Sequence, residues 1–245
     1  MSDEMVQIRR SAPERTRFGS GAVTFGAAVL GGFVAGVVVG GVGGRLAMML
    51  LRFTSSPSLV GLETDDGFTV GRFSSETIFL LGVTAGLGIL GGVFYLIIRG
   101  WIPARYRVVS MALYFAVVGG AGIIGPGEFD FSRLSPLPLA IALFIAIPGV
   151  FGLVMPLLVE GLLRPGSFLR EGRWWVAVLL PLILINIVGL LLALLALAVG
   201  WAGERAPRLR EVWESRAVVW IGRAALVTTA GLSAVGLGQD VAAIL

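Results

Sequence analysis

Long stretches without a single charge constrain this chain more than any other feature. Residues 18–44, 77–98, 108–127, 134–159 and 174–203 contain no charged residue, and a further run, 217–238, is interrupted only by Arg223. A helix needs roughly 20 predominantly apolar residues to cross the hydrocarbon core. Lipid offers no hydrogen bonds to a bare backbone, so a spanning segment has to satisfy its own N–H and C=O groups. The runs predict an all-α, polytopic integral membrane protein, a compact bundle of six transmembrane helices with short loops. The predicted spans are 22–51, 77–98, 108–125, 136–160, 175–200 and 217–238, making 21–245 a single transmembrane domain behind a basic cytoplasmic tail at 1–20. Only 14% of the residues are charged, where a soluble domain carries about a quarter.

The tail, with Arg9, Arg10, Arg15 and Arg17, resembles the basic leader of a secretory signal. The apolar run behind it is much longer than the roughly 7–15 residues of a signal core, which predicts a retained anchor. All six tryptophans (Trp101, Trp174, Trp175, Trp201, Trp213 and Trp220) fall at or near predicted span ends, the level that amphipathic rings prefer in a bilayer.

Orientation follows from arginine counts in alternate loops. With the N-terminus cytoplasmic, the inner segments hold ten arginines and the outer loops seven. The first four spans obey the rule. The outer loop at 201–216 violates it with Arg205, Arg208, Arg210 and Arg216. The expectation is that both termini are cytoplasmic, in the plasma membrane of a prokaryote; the alternative is that 174–200 or 217–238 does not cross simply. The net charge of +4 belongs to span ends, so it points to anionic headgroups and not to nucleic acid.

In the first span Gly32, Gly36, Gly40 and Gly44 recur every four residues and form one stripe nearly free of side chains. A second helix can approach such a stripe closely. Gly82/Gly86 and Gly88/Gly92 offer comparable stripes on the second span. Tight packing within the chain is the leading reading, with self-association or a protein partner through the stripe as the alternative.

Arg45 and Arg223 are the charges set inside apolar sequence, and the predicted topology puts both in the outer half of the bilayer. An intramembrane charge costs about 2.5–3.5 kcal/mol on insertion scales. Snorkelling to the headgroups or an ion pair answers that cost, and a shared site for an anionic lipid is the sharper option. Asp65, Asp66, Glu128 and Asp130, in two loops of the outer face, are the candidate carboxylate partners; their spacing does not match a Ca²⁺ loop. Thr229, Ser233, Gly236 and Asp240 share one face of the last span, predicted to point into the bundle. Asn186, in the middle of the fifth span, reads as an interhelical hydrogen-bonding group. Glu160 and Arg164 read as an i, i+4 ion pair.

The chain has no histidine and no cysteine. This excludes a His-dependent serine protease, histidine-ligated metal centres, thiol catalysis and iron–sulfur ligation. No cofactor, metal or catalytic group is expected. The expected function is that of a non-catalytic accessory, assembly or lipid-binding subunit of a membrane complex. The alternative is a small transporter or channel for a small solute, anionic solutes included.

Overall fold

The computed structural model describes residues 18–55, 75–127, 135–167, 169, 211–213 and 215–245, with backbone alone at 18–22 and 75–78. Among these residues every regular element is helical, and five helices are long and apolar enough to span a membrane. The predicted fifth span, 175–200, lies outside the described residues, as do the tail at 1–17, Asn186, and the carboxylates Asp65, Asp66, Glu128 and Asp130.

The first span is a composite of α1 (Phe18–Ala35), a π-helical segment (Gly36–Gly43) and α2 (Gly44–Thr54). The π segment reads GVVVGGVG. Glycine and β-branched valine are weak α-helix formers, which lowers the barrier to a widened turn. The Gly44 N–H closes the segment on the carbonyls of both Gly40 and Gly41. α3 (Ser75–Ile98) is followed by a turn and a short 3₁₀ segment (Ala104–Tyr106). α4 (Arg107–Ile123) stops before Gly125-Pro126-Gly127, where Gly127 takes φ +95°. This Gly-Pro-Gly turn is the one its composition predicts.

α5 (Leu137–Leu163) carries Pro138 in its first turn and buried Pro148 and Pro156 in its interior. Neighbouring helices make interior prolines tolerable in apolar bundles. Here α4 passes the Pro148 ring at Gly119, where a Cβ would lie 2.6 Å from Pro148 Cβ. α6 (Arg216–Ile244) starts at Ser215, whose side chain caps the helix by accepting from the Val218 N–H at 3.4 Å.

α1 is the centre of the bundle, held between α3 and α5. Its Gly32 face meets α3, and a Cβ on Gly31 would lie 2.7 Å from Val159 Cγ2 of α5. One apolar cluster gathers Phe25, Ile89, Tyr95, Ile98, Met111, Phe151, Val159 and Leu169. A second joins Leu51, Ile124, Ala140 and Ile141 to Leu237, Val241 and Ile244. Between the helices Phe115 meets Phe94 and Phe151 edge-on, at 6.2 and 5.1 Å between ring centres.

These clusters define two ends, one at Glu160 and one at Ser55. At the second end, Ser55 Oγ donates to the Ser135 carbonyl (3.1 Å) and accepts from the Ser135 N–H (2.9 Å). α6 starts at the Glu160 end, with Gly222 against Trp101, and finishes beside Leu51 at the Ser55 end. It therefore runs in the same direction as α1. The described chain leaves α5 at Leu169 and comes back at Trp213 on one and the same end of the bundle.

Candidate functional site

The glycine stripe is used unevenly. Cβ atoms on Gly32 and Gly36 would collide with the backbone of α3, at the carbonyls of Gly88 and Thr84 respectively. Reciprocally, a Cβ on Gly92 would collide with the Ala28 carbonyl. At Gly40 the neighbour is the Thr84 side chain, 3.1 Å from the added carbon. The surface that receives α1 is thus Thr84, Gly88 and Gly92. Among the described residues a Cβ on Gly44, Gly82 or Gly86 would meet nothing within 4 Å, so none of the three packs against a described helix. The π segment widens the helix just before Gly44 and turns it off the line of its predecessors, while Gly82 and Gly86 lie on a face of α3 that α1 does not touch.

At the Glu160 end the sequence misses a cross-helix cluster. Glu160 Oε1 accepts from the Tyr95 hydroxyl (2.7 Å), from Arg99 Nε and Nη2 (3.2 and 3.0 Å) and from Arg107 Nη1 (2.9 Å). Oε2 accepts from Arg99 Nη2 at 2.9 Å. Arg107 Nε adds the carbonyls of Arg99 (3.1 Å) and Ile102 (3.2 Å). One carboxylate so ties the end of α3, the start of α4 and the end of α5. Arg164 is exposed and takes no part. The expected Glu160–Arg164 pair is corrected: two arginines on other helices outcompete the neighbour one turn along. Both oxygens of Glu160 are committed, so the group is a brace and not a free base.

Beside this brace, Trp101 lies flat on α6. A Cβ on Gly222 would run into the Trp101 ring, with Cδ2 at 2.7 Å. Trp213 covers the same ring at 5.0 Å between centres and donates its Nε1–H to the Ile97 carbonyl at 3.3 Å. Arg223 Nε donates to the Trp101 carbonyl at 2.7 Å, and its guanidinium lies 5.3 Å from the Trp220 ring centre.

Arg45 stands on α2, ten residues before Ser55, half-buried with Nε and Nη2 shielded from solvent. Arg45 and Arg223 therefore lie towards opposite ends of the bundle, and a site shared between them is ruled out. The expected common half assumed one crossing for each uncharged run; the contacts of Trp213 and Gly222 return the chain to the end it left.

The polar face of the last span is only partly turned inward. Ser233, Gly236 and Asp240 are half-buried, at the margin of the face that packs through Gly222, Leu226 and Leu237. Thr229 is exposed and donates to the Ala225 carbonyl of its own helix at 2.8 Å. Among the described residues no group of acidic side chains is arranged to hold a metal ion. Comparison of the chain with protein-family models, with curated proteins and with solved structures finds no match.

Proposed function

We propose that this chain is a non-catalytic, multi-pass membrane protein, an accessory, assembly or lipid-binding subunit of a larger membrane complex, and that α6 is the helix it offers to a partner. One observation carries the reading. Of the most apolar stretch of the first span 61% is buried, against 6% for α6. Along the uncovered side of α6, Ala224, Thr228, Gly231, Val235, Gly238 and Ala242 are all exposed, at alternating spacings of four and three. Among the described residues a Cβ on Gly231 or Gly238 would meet nothing within 4 Å. Small residues and hydroxyls on a lipid-facing helix allow another helix to come close, where bulky aliphatics would only match the lipid.

Other features agree with a packing role. α1 meets α3 backbone to backbone, which leaves no room for a solute path between them. Among the described polar residues set in apolar sequence, Arg45 and Arg223 stand towards opposite ends of the bundle and Thr229 lies on the outside of α6. The Glu160 end carries Arg99, Arg105, Arg107, Arg164, Arg216 and Arg223 against Glu160 and Glu211. The positive-inside rule favours that end as the cytoplasmic one; the membrane proposed is the plasma membrane of a prokaryote.

The test is purification from native membranes in mild detergent, followed by mass measurement of what accompanies the chain. A partner in fixed stoichiometry is expected, released when Gly231 and Gly238 are both replaced by leucine. A monomer that conducts solute flux in reconstituted vesicles overturns the proposal in favour of the transporter reading.

A further inference from the structure

Arg223 is held in an unusual way for a charge on an apolar helix. Its Nε is spent on the Trp101 carbonyl and one face of its guanidinium is turned to Trp220. Among the described residues neither Nη has an acceptor, and neither is among the buried nitrogens left without a partner. The forked edge of a permanent cation is thus fixed in place with its donors unused. Such a planar fork matches two oxygens of a phosphate, in geometry as well as in charge.

Depth and surroundings narrow the ligand. Arg223 lies seven residues into α6 after Arg216, about 10 Å along the axis at a rise of 1.5 Å per residue. Trp101, Trp213 and Trp220 gather at the same level, where aromatic belts mark the boundary between headgroups and acyl chains. The side chains one turn before and one turn after Arg223 on the same face of α6 are large, apolar and exposed: Trp220 at 66% and Val227 at 73%. A ligand for this corner needs an anionic head for the fork and a hydrocarbon tail for Val227, one turn further on.

We propose that the Trp101–Trp220–Arg223 corner binds the phosphate of an anionic phospholipid from the leaflet at the Glu160 end. This rests on the membrane reading above and deepens its lipid-binding part. Gly222 is a positioning residue for the site: without a side chain it lets Trp101 lie against α6, which brings the Trp101 carbonyl to Arg223. Arg99 and Arg107 already have their charge answered by Glu160. Arg105, exposed and 4.5 Å above the Tyr106 ring, has no such corner around it.

The experiment uses the full chain in nanodiscs of phosphatidylcholine containing a minor fraction of phosphatidylglycerol, with brominated phosphatidylglycerol as quencher of tryptophan fluorescence. Native mass measurement of retained lipids is made in parallel. Wild type is expected to prefer phosphatidylglycerol over phosphatidylcholine by about tenfold, the scale of a charge-assisted contact. Arg223→Gln is expected to lose that preference, Arg223→Lys to keep part of it, and Arg105→Gln to keep it whole. Equal retention of both lipids by wild type overturns the proposal without any variant. Persistence of the preference in Arg223→Gln overturns it too, as does displacement of the quencher by millimolar inorganic phosphate, which would make the ligand free phosphate. Each of these leaves the membrane reading standing; failure of the chain to enter the nanodisc at all is what removes that reading.

Discussion

Replacing single glycines of α1 and α3 by alanine separates backbone packing from mere apolarity, because the structure predicts opposite signs for residues of identical chemistry. At Gly36 an added Cβ would lie 2.9 Å from Gly88 Cα and 3.1 Å from the Thr84 carbonyl carbon, with the Thr84 oxygen nearer still. Carbon atoms prefer about 3.5–4.0 Å, so α1 and α3 have to part by roughly 0.5–1 Å along this contact. Backbone cannot swing aside as a long side chain does. Overpacking of this kind costs about 1–3 kcal/mol, offset by up to about 1 kcal/mol from the better helix propensity of alanine. The net expectation for Gly36→Ala is a loss of about 1–2 kcal/mol. Gly82→Ala and Gly86→Ala gain the propensity and meet nothing within 4 Å, so they are expected to be neutral or stabilising by up to about 1 kcal/mol. The two classes then differ by about 2 kcal/mol, about thirtyfold in the folding equilibrium. Reversible unfolding in mixed micelles titrated with sodium dodecyl sulfate, followed by circular dichroism, reads this directly. Equal midpoints for Gly36→Ala and Gly86→Ala refute the reasoning.

Four further outcomes follow from the contacts at the two ends. Glu160→Gln keeps the shape but removes the charge that Arg99 and Arg107 share, and in the same unfolding assay it is expected to lose about 2 kcal/mol, below the figure for a fully buried pair because these side chains are 20–29% exposed. Tyr95→Phe, which removes one of the five bonds to that carboxylate, is expected to lose about 1 kcal/mol, and Arg164→Ala to be silent; a large effect of Arg164→Ala returns Glu160 to its neighbour one turn along. Reporter fusions after residue 245 and before residue 18 are expected on opposite faces of the membrane, because α6 runs parallel to α1, and fusions found on the same face refute the direction of α6.

Much of the fold is legible in the sequence where the argument depends on one segment alone. Uncharged length yields the helices, and Gly-Pro-Gly yields the turn after α4. The stripe Gly32, Gly36, Gly40, Gly44 reads as a face stripped of side chains, but which surface receives it, and that Gly44 falls outside the contact with α3, is a question about two helices. The receiving set is Thr84, Gly88 and Gly92, again spaced by four. Threonine belongs with the small residues of membrane interfaces, so counting Thr84 with the glycines is the signal that distinguishes this face from Gly82 and Gly86. The π segment leaves no mark in hydropathy, since a widened turn changes the direction of side chains and not their identity. Glu160 fails the local reading for a similar reason: an i, i+4 partner is a fair expectation on an isolated helix, but Arg99 and Arg107 arrive from other helices with better geometry.

The direction of α6 is the more instructive case, because the sequence registers the conflict before the structure resolves it. Counting 174–203 as one crossing puts the arginine-rich loop at 201–216 on the outer side, the single place where arginine distribution opposes the assigned topology. The described end of that loop lies at the Glu160 end, through Trp213 on Trp101 and Gly222 beneath it. Arg216 and Arg223 then join Arg99, Arg105, Arg107 and Arg164 at one end of the bundle. Charge placement is a statement about an entire loop, whereas an uncharged run reports only that a segment tolerates hydrocarbon and not how often it crosses. Where the two disagree, the charges carry the stronger constraint. The same rearrangement separates Arg223 from Arg45, so that one apparent pair of charges becomes two independent problems of neutralisation, one towards each end of the bundle.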